Sequence, residues 1–161
     1  KYSKDKSIEI IILATTWSHD QLYDGNNYVS NDPIILSESL IDLVNKLKNL
    51  NKKVFLIGPI QRPGYNFPQD LPRLIKFNHI KENEISSLLK IKRSIYNNSY
   101  SESINYLKKK MNKNFIDSSE ILCDTEFCFL ADQNGAYFAD DGHLSAYGAS
   151  LFQNKFEIVF K

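Results

Sequence analysis

Apolar residues recur along this chain with two periods, and the alternation between them sets the expected fold. Residues 7–14 (Ser-Ile-Glu-Ile-Ile-Ile-Leu-Ala) are short, β-branched and almost continuously apolar, the pattern of a parallel strand covered on both faces. Residues 15–32 are polar and rich in glycine and asparagine, a loop long enough to carry function. Leu40, Ile41, Val44 and Leu47 then recur at helical spacing as far as Leu50, with Ser37 as the expected cap. A second buried strand is expected at residues 54–58. It runs into a proline-rich loop through Pro59, Pro63, Gly64 and Pro68 to Pro72 and Arg73.

Residues 84–111 have mostly helical spacing. Ile85, Leu88, Leu89 and Ile95 share one face, and Ile104, Leu107 and Met111 a later one, with a break expected at Asn97-Asn98. Phe115-Ile116-Asp117 opens a third strand, residues 144–154 a last helix, and residues 156–160 alternate like a short closing strand. Strand, helix, strand, helix, strand, helix is the rhythm of an open α/β sheet. Ligands of such sheets collect at the C-terminal ends of the strands. The loop after Ala14, the loop after Ile57 and the turn at residues 140–143 are therefore expected to open on one edge.

Composition narrows the partners. The 161 residues form one domain's worth of chain, with 20 lysines and arginines against 19 acids, a net charge of +1. No overall field favours nucleic acid or an anionic membrane, and runs such as Lys108-Lys109-Lys110 read as a solvated face. No apolar stretch approaches the roughly 18–20 residues of a membrane span. The chain opens on a polar Lys1-Tyr2-Ser3 without an initiator methionine and enters a strand pattern at once, as expected of an excised domain. Cys123 and Cys128 are the two cysteines. A local disulfide and a pair of free thiols both fit their spacing. With neither a second cysteine pair nor a histidine at ligand spacing, no metal site is expected.

The densest chemistry lies in Asp140-Asp141-Gly142-His143-Leu144-Ser145-Ala146-Tyr147-Gly148-Ala149. A general base needs an imidazole whose second nitrogen is held by an acceptor. Asp140, three residues before His143, can hold one ring nitrogen and leave the other to take a proton from a hydroxyl nucleophile. Asp141 can instead be a carboxylate favoured by the start of the helix. His19 and His79 have no partner motif, Arg62 and Arg73 read as solvated loop residues, and Gly148 and Ala149 as a close-packing pair. Trp17 reads equally as core and as pocket wall.

The block H-L-S-x-x-G-A after Asp140 resembles the last motif of SGNH/GDSL-type esterases and acetyltransferases. It is most similar to that of the SGNH domains fused behind integral-membrane acyltransferase-3 domains, which O-acetylate cell-surface glycans. Ile12-Leu13-Ala14-Thr15-Thr16-Trp17, Gly58-Pro59-Ile60, Cys123 to Cys128 and Gly135-Ala136-Tyr137-Phe138 follow the same family order. The resemblance implies a three-layer αβα fold with an open parallel sheet, SGNH/flavodoxin-like, here lacking its first strands, as a partial SGNH domain over residues 1–161 that runs from the family's third block. It implies His143 as base, Asp140 as its partner, Thr16 and Trp17 as substrate-binding residues, and a Cys123–Cys128 disulfide.

The same resemblance implies a cofactor-free acyl transfer to cell-envelope polysaccharide, lipopolysaccharide or peptidoglycan, with acetyl relayed by an upstream membrane domain. The domain would lie on the extracytoplasmic side, tethered to the membrane, with no nucleic-acid partner. The family's Gly-Asp-Ser block is absent from these residues, so the nucleophile is expected outside this chain. Ser18, Ser118, Ser119 and Ser145 lack the glycine-flanked strand-to-helix elbow that exposes a nucleophilic serine. A soluble carbohydrate esterase and a non-catalytic glycan-binding remnant are the alternative functions.

Overall fold

The computed structural model describes residues 2–15, 17, 21–23, 27–30, 32–79 and 81–157. In chain order its strands and helices are β1 (Ile10–Leu13), β2 (Gln21–Tyr23), β3 (Tyr28–Ser30), α1 (Pro33–Lys48), β4 (Lys53–Ile57), α2 (Leu71–Phe77), α3 (Glu82–Leu88) and β5 (Lys90–Lys92). They continue as α4 (Arg93–Met111), β6 (Phe115–Ile116), α5 (Ser119–Leu122), β7 (Phe127–Phe129), β8 (Ala131–Asp132), β9 (Gly135–Ala136), α6 (Ala146–Ser150) and α7 (Gln153–Phe156). The chain divides into two compact units, one of residues 1–59 and 99–118, the other of residues 60–98 and 119–161. No helix among the described residues is long and apolar enough to cross a membrane.

The first unit holds the parallel sheet that the strand rhythm predicts. Its order is β1-β4-β6, with Leu13 opposite Leu56 and Ile57 opposite Ile116. The doubly covered strand is β4, where Val54, Phe55 and Leu56 are all buried. β1 was expected to be covered on both faces, but it lies at the sheet edge and Ile12 is 39% exposed. Continuous apolar character does not distinguish a central strand from an edge strand. Because the sheet is parallel, Ala14 and Gly58 leave it at the same edge.

Helix α1 buries Ile41, Val44 and Leu47, the predicted face. Its cap is Asp32 rather than Ser37: the Asp32 carboxylate accepts from the Ile34 amide at 2.8 Å and Pro33 takes the first turn. Asp-Pro is a stronger start signal than an interior serine, because proline gives up an amide that no helix start can satisfy. Ser37 is fully buried inside the helix. Lys52, between α1 and β4, is buried and donates to the carbonyls of Asp5 (2.5 Å) and Ile8 (2.6 Å).

The long polar loop of residues 15–32 contains an antiparallel pair, β2 with β3. The proline-rich segment ends earlier than expected, because Leu71 and Pro72 open α2. The stretch 84–111 is likewise divided differently: α3, then β5 pairing antiparallel with β7, then α4. Asn97 and Asn98 do not break α4. Asparagine costs only a few tenths of a kcal/mol inside a helix, and Ile104, Leu107 and Met111 bury one face further on. Ile95, expected on the apolar face, is 53% exposed. The last helix is two short ones, α6 and α7. Phe156 ends α7 rather than starting a strand, and residues 158–161 lie outside the described residues.

Candidate functional site

The site is assembled in the second unit by a tight return of the chain between β9 and α6. The Ala139 amide donates to the His143 carbonyl at 2.9 Å and the Ser145 amide to the Tyr137 carbonyl at 2.9 Å. Phe138 and Leu144 face each other as an isolated antiparallel bridge. The intervening residues Asp140, Asp141 and Gly142 must therefore turn within a narrow span.

Asp140 makes that turn and equips it. Its Oδ1 accepts from the amides of Gly142 (2.8 Å) and His143 (2.7 Å), while Oδ2 lies 2.8 Å from Nδ1 of the His143 ring. The Gly142 amide above all, then the His143 ring and amide, holds the Asp140 carboxyl down to about 2. With Nδ1 engaged by a carboxylate, Nε2 is the nitrogen left to handle a substrate proton. The His143 side chain is 84% exposed, so a hydroxyl from outside the turn can reach it.

Ser145 fixes where this turn meets α6. Its hydroxyl donates to the Ala136 carbonyl at 2.6 Å and accepts from the Gly148 amide at 2.9 Å, which makes it the N-cap. Behind it, the Asp132 carboxylate accepts from the hydroxyls of Tyr147 (2.7 Å) and Tyr137 (3.4 Å). Burial first, then the Asp132 charge, pushes Tyr137 up to about 12, so both phenols serve as donors at neutral pH.

Two residues not assigned a role from sequence reach the turn. Arg62 Nε donates to the Asp141 carbonyl at 3.0 Å, and its Nη2 lies 3.1 Å from Asp141 Oδ2. A Cβ on residue 142 would come within 2.7 Å of that guanidinium, so a larger residue there would push the flexible end of Arg62 aside. Gln69 Nε2 donates to the Ala139 carbonyl at 3.0 Å. Arg62 therefore grips a segment 79 positions away, and no local pattern in the sequence could signal that. Asp141 is the partner of this clamp rather than a dipole-favoured carboxylate of α6.

The other candidates fall elsewhere. Trp17 belongs to the first unit and is 5% exposed, the burial of a core residue. Thr16, Ser18 and His19 lie outside the described residues. Ser118 is buried at the end of β6 and its hydroxyl donates to the Pro59 carbonyl. Ser119 is buried and accepts from Arg93 at 3.3 Å. Cys123 and Cys128 form a disulfide with a 2.05 Å S–S bond, closing the loop ahead of β7.

The clamp predicts a measurable effect. Replacing Arg62 by alanine should speed exchange of the Gly142 and His143 amides roughly two- to fivefold, in step with a stability loss of less than about 1 kcal/mol, because the ion pair is largely exposed. Lysine should not rescue it, since a single ammonium lacks the fork that spans carbonyl and carboxylate. Unchanged exchange in Arg62→Ala would refute the clamp.

The Asp140 turn predicts a pH response. Its folded-state carboxyl is depressed from 3.8 to about 2, so its stabilising bonds are complete above 3.8 and are lost as pH falls through about 2. Nitrogen-15 NMR should show the Gly142 and His143 amide signals sharing an acid transition with its midpoint near pH 2, the folded value of Asp140. A shared midpoint at the ordinary 3.8, or separate acid midpoints for the two amides, would contradict the arrangement.

Comparison with known proteins bears on the family and the fold. Residues 1–157 match the family described as "SGNH domain (fused to AT3 domains)". The fold resembles the periplasmic domain of a lipopolysaccharide acetyltransferase from Salmonella ser. Paratyphi A, with a TM-score of 0.59 and 22% identity, covering 95% of this chain and 57% of that one. The chain thus spans a little over half the length of that domain structure. No curated protein sequence matches the chain. A family match over nearly every residue, on an α/β parallel-sheet fold, places the chain in the SGNH domain family of AT3-fused proteins.

Proposed function

We propose that this chain supplies the acid–base half of an O-acyltransferase that moves acetyl groups onto a cell-envelope glycan, with the serine nucleophile carried outside these residues. The observation that supports the reading is the 2.8 Å contact between Asp140 Oδ2 and His143 Nδ1 inside the H-L-S-x-x-G-A block. In the proposed cycle, His143 Nε2 takes the serine proton as Oγ adds to the acetyl carbonyl, then returns it to the departing donor group. The resulting acetyl-serine is attacked by a sugar hydroxyl, whose proton passes to His143 and from there to the released serine. Asp140 holds the ring and the charge it acquires.

In this reading the domain works on the extracytoplasmic side, tethered to the membrane behind an acyltransferase domain that relays the acetyl group. The 84% exposure of His143 favours one competing outcome, hydrolysis, because water reaches an open base as readily as a sugar does. The test uses the parent protein with p-nitrophenyl acetate as donor and purified lipopolysaccharide as acceptor. The label of a carbon-14 acetyl group is then counted in glycan ester and in free acetate. Label in the glycan is expected. Label in acetate alone would make the protein an esterase, and release of nitrophenol at the uncatalysed rate would reduce it to a binding remnant.

A further inference from the structure

The Asp140 turn has a neighbour with no role in the chemistry above. A cavity of about 270 Å³ is lined by Tyr65, Asp70, Arg73, Leu74, Phe77 and Asn78, all in the second unit. Its walls combine two kinds of surface. Tyr65 and Phe77 supply rings. The Tyr65 hydroxyl donates to the Leu88 carbonyl at 3.1 Å, which fixes that ring in place. Phe77 is 69% exposed, with the Lys76 ammonium 6.0 Å from its ring centre, so its ring is open to a ligand from the cavity side. The rim is polar: Arg73 Nη1 lies 3.8 Å from Asp70 Oδ1, and Asn78 adds an amide. These groups offer both acceptors and donors.

Rings beside a carboxylate, a guanidinium and an amide match one ligand class well. A pyranose has a face of axial C–H groups that packs on aromatic rings and an equator of hydroxyls that both donate and accept. A lipid tail would leave the Asp70–Arg73 pair without use, and a free anion would face the Asp70 carboxylate. At about 270 Å³ the cavity is a little smaller than the usual range of ligand sites and suits one sugar ring rather than an extended chain. It also adjoins the turn: Gln69, next to Asp70, donates to the carbonyl of Ala139, next to Asp140. We infer that the cavity beside α2 is a pyranose subsite that holds the acceptor glycan near the Asp140–His143 turn. Its link to catalysis rests on the acyl-transfer reading above, whereas its capacity to bind a sugar does not.

The experiment is saturation-transfer NMR on the 161-residue chain with the methyl pyranosides of glucose, galactose, mannose and rhamnose. At least one should receive saturation on its axial protons. Phe77→Ala, at an exposed position that should not disturb folding, should weaken that transfer at least fivefold, Asp70→Asn should weaken it too, and Phe77→Tyr should retain it. In the parent protein, Phe77→Ala should raise the KM for the glycan at least fivefold and leave p-nitrophenyl acetate turnover unchanged. No transfer to any pyranoside, or equal transfer in wild type and Phe77→Ala, would overturn the subsite. So would a Phe77-dependent co-sedimentation with phosphatidylglycerol vesicles in place of sugar binding. Failure of the acyl-transfer reading has a different signature, namely pyranoside binding that needs Phe77 in a protein whose ester turnover ignores His143.

Discussion

His143→Ala should lower acetyl transfer by the parent protein about 10²–10⁴-fold, the usual contribution of a positioned general base. The loss should appear in kcat, since the imidazole acts on a proton in flight and adds little to ground-state binding. The fold should survive: the side chain is 84% exposed, and the turn is held by main-chain bonds and by Asp140. Asp140→Ala should be worse for the turn and no worse for the rate. It removes the partner of His143 and both amide acceptors at once, and groups that act as a unit do not add. Transfer by His143→Ala within a factor of three of wild type would remove His143 from the mechanism.

Gly148→Ala should be the most destabilising conservative change in the second unit. A Cβ there would stand 1.9 Å from the carbonyl oxygen of Tyr137 and 2.7 Å from its carbon. Both are main-chain atoms, and that oxygen already accepts the Ser145 amide. No side chain can yield, so α6 must lift away and break the Ser145 cap. Overpacking that moves a backbone costs about 3 kcal/mol or more, equivalent to roughly 10 °C in Tm for a chain of this size. Because Ser145 is two residues from His143, ester turnover should fall with stability. A shift below about 2 °C in thermal denaturation would show that the helix accommodates the methyl group.

Much of this was legible in the sequence because it is local or periodic. The buried strand β4, the face of α1 and the Ile104, Leu107 and Met111 face of α4 follow from spacing alone. Asp140 and His143 meet because they stand three positions apart on one turn, and Gly148 reads as a packing glycine. What the sequence hides is long-range or very short. β2, β3 and β5 have three residues each, too few for a period to register, and β5 exists because β7 pairs with it. Whether β1 is an inner or an outer strand depends on what lies beside it. Arg62 looks like any solvated loop arginine until the fold brings Asp141 to it.

Asp140 carries two loads with one carboxylate: it shapes the turn through Gly142 and His143 amides, and it orients the imidazole. These duties separate under evolutionary drift. A descendant that abandoned acyl transfer would be free to exchange His143, whose ring supports nothing structural, yet would still need a short acceptor side chain at position 140 to close the turn. Among diverged copies of this domain, the identity at 143 should therefore distinguish working from retired members, whereas an aspartate at 140 should persist in both.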